Sequence, residues 1–172
     1  MATTQRLFSD PLPYALYIDA DFTMRALVKS EKHHQECLEF AERLRQKGTP
    51  IFSSVLLIPE CLNTWEKFGR KGATPLITAE QWENELYRIP FMDHGLNLIR
   101  GFLKQLNYHQ VRILKAIEDD IASQMAYHNI RSYDALHLAT MRYLGLPHIA
   151  CTNSHFLRVD NLEVWNNQIY LK

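Results

Sequence analysis

The chain has 172 residues, 47% of them hydrophobic and 22% charged, which is the size and composition of one soluble globular domain. No apolar run approaches the roughly 20 residues that a membrane helix needs, so a membrane-spanning protein is not expected. The formal net charge of zero argues against a protein coated in positive charge for nonspecific nucleic-acid binding.

The first part of the chain alternates two predicted strands with two predicted helices. Residues 14–18 (YALYI) form a short apolar run of β-forming residues, which predicts a buried strand. The composition turns helical from about residue 24 to residue 47, where a glycine and a proline end it. PIFSS, residues 50–54, predicts a second strand, and residues 55–69 predict the helix that follows it.

The second part of the chain contains more helix before the last strands. Residues 78–92 mix a helix with a short extended piece, and residues 96–128 predict two helices that LNYHQ interrupts. The next helix contains RSYDALHLAT and ends before Gly145, and HIACT and LEVWN predict the final strands. Short strands that alternate with helices predict an α/β fold, here a three-layer α/β/α sandwich around a parallel sheet.

The cysteines and the N-terminal residues indicate a compartment. Cys37, Cys61 and Cys151 are too scattered for a disulfide framework or a close-spaced zinc site. The opening sequence MATTQRLFSDPLP lacks the apolar core and cleavage pattern of a signal peptide. We therefore expect a single domain over residues 1–172 in a reducing cytoplasm.

Local basic clusters could serve an RNA-cleaving enzyme even though the net charge is zero. Solvated helix ends are the favoured explanation for either cluster taken alone. The two clusters are Arg43, Arg45 and Lys47, and Lys67, Arg70 and Lys71.

Polar side chains that could form a site follow the predicted strands. Asp19 comes directly after the first strand, and Asn153 directly after HIACT. Glu60 lies early in the helix after the second strand, and Asp134 lies in the first turn of its helix, with Ser132 as a candidate N-cap. Because sites in parallel α/β sheets form at the carboxyl ends of the strands, these four residues are expected to converge.

Three carboxylates and one amide are hard oxygen ligands, which suit Mg²⁺ or Mn²⁺ rather than zinc. Without a cation the carboxylates would repel one another. Each acid also has an explanation that involves no metal: Asp134 could stabilise a helix N-terminus, and Glu60 could be a solvated helix residue. Asp19 is the hardest to explain in this way, because burying a carboxylate at the end of an apolar strand is costly unless it is paired.

Four motifs together resemble those of the PIN-domain nucleases. They are YIDADF, SSVLLIPECLN, SYDALHLAT and TNSHFLRV, and the resemblance runs from about residue 14 to residue 165. Within that family the chain is similar to bacterial and archaeal single-domain ribonucleases, including the toxins of toxin–antitoxin pairs.

The resemblance implies an α/β/α sandwich and an endoribonuclease that depends on Mg²⁺ or Mn²⁺. It implies catalytic roles for Asp19, Glu60, Asp134 and Asn153, with the three acids also holding the metal. The fourth position is usually an aspartate in the family, and this chain has Asn153 there, while Asp21 stands where a small polar residue is more common. An RNA substrate, an antitoxin protein and a homodimer are the partners that the resemblance implies.

Two other functions fit parts of the sequence. LYIDADFT also resembles the opening motif of haloacid-dehalogenase-type phosphatases, in which Asp19 would be a covalent nucleophile and Asp21 a general acid. That fold needs a later acidic pair after a strand, and the acids at 118–120 lie inside a predicted helix. The second alternative is a catalytically weak PIN-like binding or regulatory module, which Asn153 makes plausible.

Two histidines lie near these motifs. His137 follows Asp134 by one helical turn, in a helix that is apolar almost all round, so we predict a core histidine rather than a metal ligand. His155, in the final loop, is predicted to be a surface residue.

Overall fold

A parallel sheet of six strands organises the part of the chain that this computed structural model describes, residues 2–152 and 154–168. Its strands are β1 (Thr4–Leu7), β2 (Leu16–Ile18), β3 (Pro50–Ser54), β4 (Asn107–Val111), β5 (His148–Ala150) and β6 (Glu163–Asn166). They lie in the order β1-β6-β5-β2-β3-β4, and each neighbouring pair is parallel. The predicted parallel α/β sheet is confirmed.

Seven α-helices of the described residues flank this sheet. They are α1 (Ala20–Leu27), α2 (His34–Lys47), α3 (Leu57–Arg70), α4 (Ala79–Trp82), α5 (Glu85–Gln105), α6 (Lys115–His128) and α7 (Ser132–Leu144). A 3-10 helix, His155–Arg158, precedes β6. Across the described ranges, none of the helices has the length and apolar character required to cross a bilayer.

The side chains of the central strand β2 alternate between the two faces of the sheet, as the period of two in a strand requires. Leu16 and Ile18 belong to one buried cluster with Phe22 of α1 and residues of α2, α3 and α5. Tyr17 belongs to a second buried cluster with Leu138 and other residues of α7. The sheet therefore lies between two layers of helices, which confirms the three-layer sandwich and directs Tyr17 toward α7.

The two edge strands differ from the sequence prediction. No strand was predicted before residue 14, where β1 lies, and the residues of β4 were predicted only to interrupt two helices. Among the described residues both strands pair on one side alone, and all of their residues are exposed or half-buried. They therefore lack the continuous apolar run by which the central strands β2 and β5 are recognisable, since all residues of those two strands are buried.

Three helix boundaries also differ from the prediction. The single helix expected over residues 24–47 is two helices, with His33 in the left-handed region (φ 66°) just before α2. No strand forms within residues 78–92, where an extended piece was expected, because residues 83 and 84 alone separate α4 from α5 and α5 continues through Pro90. Ser132 is not the N-cap of α7: that position is Arg131, and Ser132 is the first helical residue.

Candidate active site

A cleft of about 400 Å³ opens at the carboxyl ends of the central strands, and acidic side chains dominate its lining. Parallel strands present their carboxyl ends at one edge, which is where such sheets form binding sites. The structure brings Asp19, Glu60 and Asp134 to this one cleft, although they are far apart in the sequence. The acids that line it are Asp19, Asp21, Glu31, Glu60 and Asp134.

Asp19 is fixed in place by the junction between β2 and α1. It is the N-cap of α1, and its Oδ1 accepts a hydrogen bond from the backbone N–H of Phe22 at 2.8 Å. Its backbone carbonyl accepts a second bond from the Thr23 hydroxyl at 2.8 Å. The Asp19 residue is only 4% exposed, so its carboxyl group lies at the base of the cleft in one orientation.

The pKa of Asp19 is raised well above its usual range. Burial is the main cause, and the negative charges of Asp21, Glu60 and Asp134 raise the pKa further. The hydrogen bond from the Phe22 N–H lowers the pKa of Asp19, but by less than burial and the three negative charges raise it. The cleft is thus a region of negative potential, which a bound cation would neutralise.

Glu60 lies in the first turn of α3 and is held by His137 of α7. Its Oε2 is 2.9 Å from Nε2 of His137, and the other ring nitrogen, Nδ1, is 2.8 Å from the hydroxyl of Tyr17. His137 is buried, as predicted for a core histidine, and both its ring nitrogens are hydrogen-bonded. The sequence did not indicate Glu60 as its partner.

Asp134, in the first turn of α7, contacts the loop after β5. Its Oδ2 is 2.9 Å from Nδ1 of His155, whose side chain is 41% exposed and also lines the cleft. His155 was predicted only to be a surface residue, so the sequence missed its contact with Asp134. Its position in the TNSHF element, just after a predicted strand, was the available signal.

Asp21 faces the same loop from the start of α1. It accepts a hydrogen bond from the Thr152 hydroxyl and forms an ion pair with Arg25 at 3.3 Å. Asn153, the fourth residue of the predicted site, lies outside the described residues. Its expected catalytic role therefore stays a prediction.

The side chains of the cleft fit a magnesium-type ion by their chemistry. The described candidate donors, Asp19, Glu60 and Asp134, offer carboxylate oxygens, and their mutual repulsion contributes to the raised pKa of Asp19. Over residues 2–152 and 154–168, however, no three His, Cys, Asp or Glu side chains converge closely enough to hold one ion together. Mg²⁺ usually binds one or two carboxylates and keeps several waters, so this arrangement still suits it.

Two cations line the cleft beside the acids. Lys67, in the last turn of α3, and Arg131, at the N-cap of α7, form no ion pair with an acid within the described residues. Arg70, from the same basic cluster as Lys67, instead pairs with Glu66 at 2.6 Å. In the other predicted basic cluster, which begins at Arg43, the Arg43 guanidinium donates hydrogen bonds to the backbone carbonyls of residues 8 and 10.

A larger cavity, of about 540 Å³, lies near the C-terminal ends of α6 and α7. Asp160 is the one carboxylate among the described residues that line it. It therefore lacks the group of acids that makes the smaller cleft a candidate for metal chemistry.

Comparison with known proteins gives one family and one fold. The family model described as "PIN domain" matches residues 16–162. Among solved structures, VapC20 of Mycobacterium tuberculosis, described as a sarcin-ricin loop cleaving toxin, is 12% identical with a TM-score of 0.55 over 83% of this chain and 92% of that chain. No curated protein matches the chain by sequence.

Proposed function

Since this chain belongs to the PIN-domain family, we propose that it is a metal-dependent endoribonuclease that hydrolyses RNA phosphodiester bonds. The observation that carries the proposal is the convergence of Asp19, Glu60 and Asp134 on one cleft. We propose that these three carboxylates hold Mg²⁺ or Mn²⁺, directly or through water. The likeness to haloacid-dehalogenase-type phosphatases is confined to the first strand, whereas the family match extends over residues 16–162.

Different residues of the chain would contribute to RNA binding, to metal binding and to the orientation of the metal ligands. The negative cleft repels a phosphodiester, so RNA would bind only when a cation offsets the acids. A bound divalent ion would lower the pKa of a water and stabilise charge on the phosphoryl oxygens. Glu60 and Asp134 are oriented by His137 and His155, and no side chain need act as a nucleophile.

The test is direct: purified protein is incubated with mixed RNAs in Mg²⁺, in Mn²⁺ and in chelator. Cleavage that requires a divalent ion supports the proposal. Metal binding without any cleavage would instead favour the alternative of a PIN-like binding or regulatory module. Cleavage that persists in chelator would contradict the assignment of a metal to the cleft.

A role as the toxin of a toxin–antitoxin pair is part of the proposal. The family membership supports it, together with the likeness in fold to VapC20, which is described as a toxin. Induced expression should then arrest growth, and co-expression of a cognate antitoxin protein should restore it. Sedimentation of the purified chain would test the homodimer that the family resemblance implies.

We propose that Lys67 and Arg131 bind RNA phosphates beside the scissile bond. Lys67→Ala should raise KM about tenfold and lower the slope of log affinity against log salt by about one, because one phosphate contact is lost. The change in kcat should be small. Steady-state cleavage at several salt concentrations measures both effects.

Lys71→Ala is the matched control for Lys67→Ala. Lys71 follows the same helix and is exposed, but it does not line the cleft. Its replacement should leave both KM and the salt slope unchanged. Equal effects of the two substitutions would mean that general surface charge, rather than a contact in the cleft, attracts the RNA.

Asn153→Asp tests the fourth site position, which rests on the sequence motif alone. A further carboxylate should tighten Mn²⁺ binding roughly tenfold, since it adds attraction to a divalent cation in a partly buried cleft. The unfolding temperature in chelator should fall, because the added charge repels the other acids. Calorimetric titration and melting curves measure the two effects, and equal affinities would mean that residue 153 faces away from the metal.

A further inference from the structure

A continuous chain of buried hydrogen bonds runs from the sheet to Glu60. The backbone N–H of Ser54, the last residue of β3, donates to the hydroxyl oxygen of Tyr17 at 3.0 Å. That hydroxyl lies 2.8 Å from Nδ1 of His137, and Nε2 of His137 lies 2.9 Å from Oε2 of Glu60. Tyr17 is 0% exposed and His137 is 3% exposed, so bulk water does not compete for these bonds.

The donor and the acceptor of each hydrogen bond in this series can be assigned by elimination. An ionised carboxylate only accepts, so Nε2 of His137 must carry the hydrogen that faces Glu60. In a neutral imidazole Nδ1 is then an acceptor, and the hydroxyl hydrogen of Tyr17 is the donor that reaches it. The hydroxyl oxygen of Tyr17 accepts from the Ser54 N–H, so each group in this hydrogen-bonded series is assigned as a donor, an acceptor or both.

We infer that Tyr17 and His137 are positioning residues, which fix Glu60 in one orientation as a metal ligand. The inference rests on the proposed metal role of Glu60. Nε2 of His137 is hydrogen-bonded to Oε2 of Glu60, and within the described residues no hydrogen bond engages Oε1. That oxygen is left to a cation or its water. A glutamate without this partner would turn away from the neighbouring Asp19 and Asp134, because like charges repel.

Tyr17 cannot act on RNA itself, because it is wholly buried under the cleft. Its effect would pass through His137, in the way that a hydrogen bond from an outer residue orients a metal ligand. The contrary view is that the bonds merely satisfy buried polar groups of the core. The two views differ in whether the metal affinity depends on the hydroxyl of Tyr17.

Calorimetric titration of Mn²⁺ into matched variants separates these views. Tyr17→Phe should weaken Mn²⁺ binding about 10- to 100-fold, the usual effect of losing such an outer partner. Tyr108→Phe is the control, since its hydroxyl is also buried but has no hydrogen-bond partner within the described residues. It should bind Mn²⁺ as the wild type does.

His137→Gln and His137→Leu refine the test. The amide of a glutamine can present an N–H near the position of Nε2, so His137→Gln should retain most of the Mn²⁺ affinity. His137→Leu fills similar space without a donor and should lose as much affinity as Tyr17→Phe. Circular dichroism during thermal unfolding shows whether each variant is folded before it is titrated.

Nitrogen NMR of the wild type tests the assignment without any substitution or metal. His137 should carry a hydrogen on Nε2, and its Nδ1 should show a hydrogen bond from the Tyr17 hydroxyl that is absent in Tyr17→Phe. A hydrogen on Nδ1 would overturn the inference. So would wild-type Mn²⁺ affinity in both Tyr17→Phe and His137→Leu while Glu60→Gln binds weakly. If Glu60→Gln itself bound Mn²⁺ normally, the proposed role of Glu60 would fail instead.

Discussion

Asp19→Asn is expected to abolish RNA cleavage, by at least roughly 100-fold, while the fold is kept. The substitution removes the negative charge at the base of the cleft, where the other acids also converge. It should not break the start of α1, because asparagine is as good an N-cap as aspartate and can still accept from the Phe22 N–H. A cleavage assay in saturating Mn²⁺, with circular dichroism of both proteins, measures the result.

The same substitution should stabilise the metal-free protein. The pKa of Asp19 is raised in the folded state, so the stability that this group contributes in acid is lost as the pH rises through that pKa. At neutral pH the uncharged Asp19→Asn variant should therefore unfold about 2–4 °C higher in chelator, for a gain on the order of 1 kcal/mol. Higher stability together with lost activity is the pattern expected of a functional carboxylate.

Asp93→Asn is the matched control, because Asp93 is exposed on α5 and does not line the cleft. It should change neither cleavage nor the melting temperature in chelator. Retained cleavage by the Asp19→Asn variant would remove Asp19 from the catalytic site. A fall in its metal-free stability would mean that the carboxylate charge is compensated within the protein.

Gly95→Ala is expected to lower the free energy of unfolding by about 2–3 kcal/mol. A Cβ on Gly95 of α5 would lie 2.4 Å from two ring atoms of Trp65 on α3, which is too close without movement of the ring. The ring cannot move freely, since its Nε1–H donates to the Phe91 carbonyl at 3.0 Å and it stacks on the Phe91 ring. Chemical denaturation followed by Trp fluorescence measures the change.

Gly101→Ala, on the same helix, is expected to raise the free energy of unfolding instead of lowering it. Nothing lies within 4 Å of a Cβ built at Gly101. Because alanine favours a helix over glycine, the free energy of unfolding should rise by up to about 1 kcal/mol. If both alanine variants were stabilised, the close packing of α5 against Trp65 would be wrong.

The predictable parts of the fold are those in which a short run of apolar residues indicates a buried strand. The strands β2 and β5 are short apolar runs, buried on both faces, and both were predicted. Within the described part of the chain, the edge strands β1 and β4 hydrogen-bond on one side only and contain exposed polar residues, so nothing local distinguishes them from loops. Their pairing depends on the neighbours β6 and β3, which sequence periodicity does not reveal.

The candidate site divides in a similar way. Asp19, Glu60 and Asp134 were predictable because a strand end or a helix start carries each of them, and topology then brings such positions to one edge. The contacts of Tyr17 and His155 were not predictable. Each depends on a contact made across the fold, of Tyr17 with His137 and of His155 with Asp134, which the local pattern of apolar residues does not encode.

The order of strands in the sheet also determines when the cleft can form during synthesis. β2 is made early, but its neighbour β5 is the fifth strand along the chain, and β1 pairs with the last described strand, β6. Strand pairings so distant in sequence are slow to form, and they have to wait until both strands have left the ribosome. A growing chain therefore lacks the complete acidic cleft until β5 (His148–Ala150) has emerged. Any activity of the cleft is therefore expected to appear only after this fifth strand has been made.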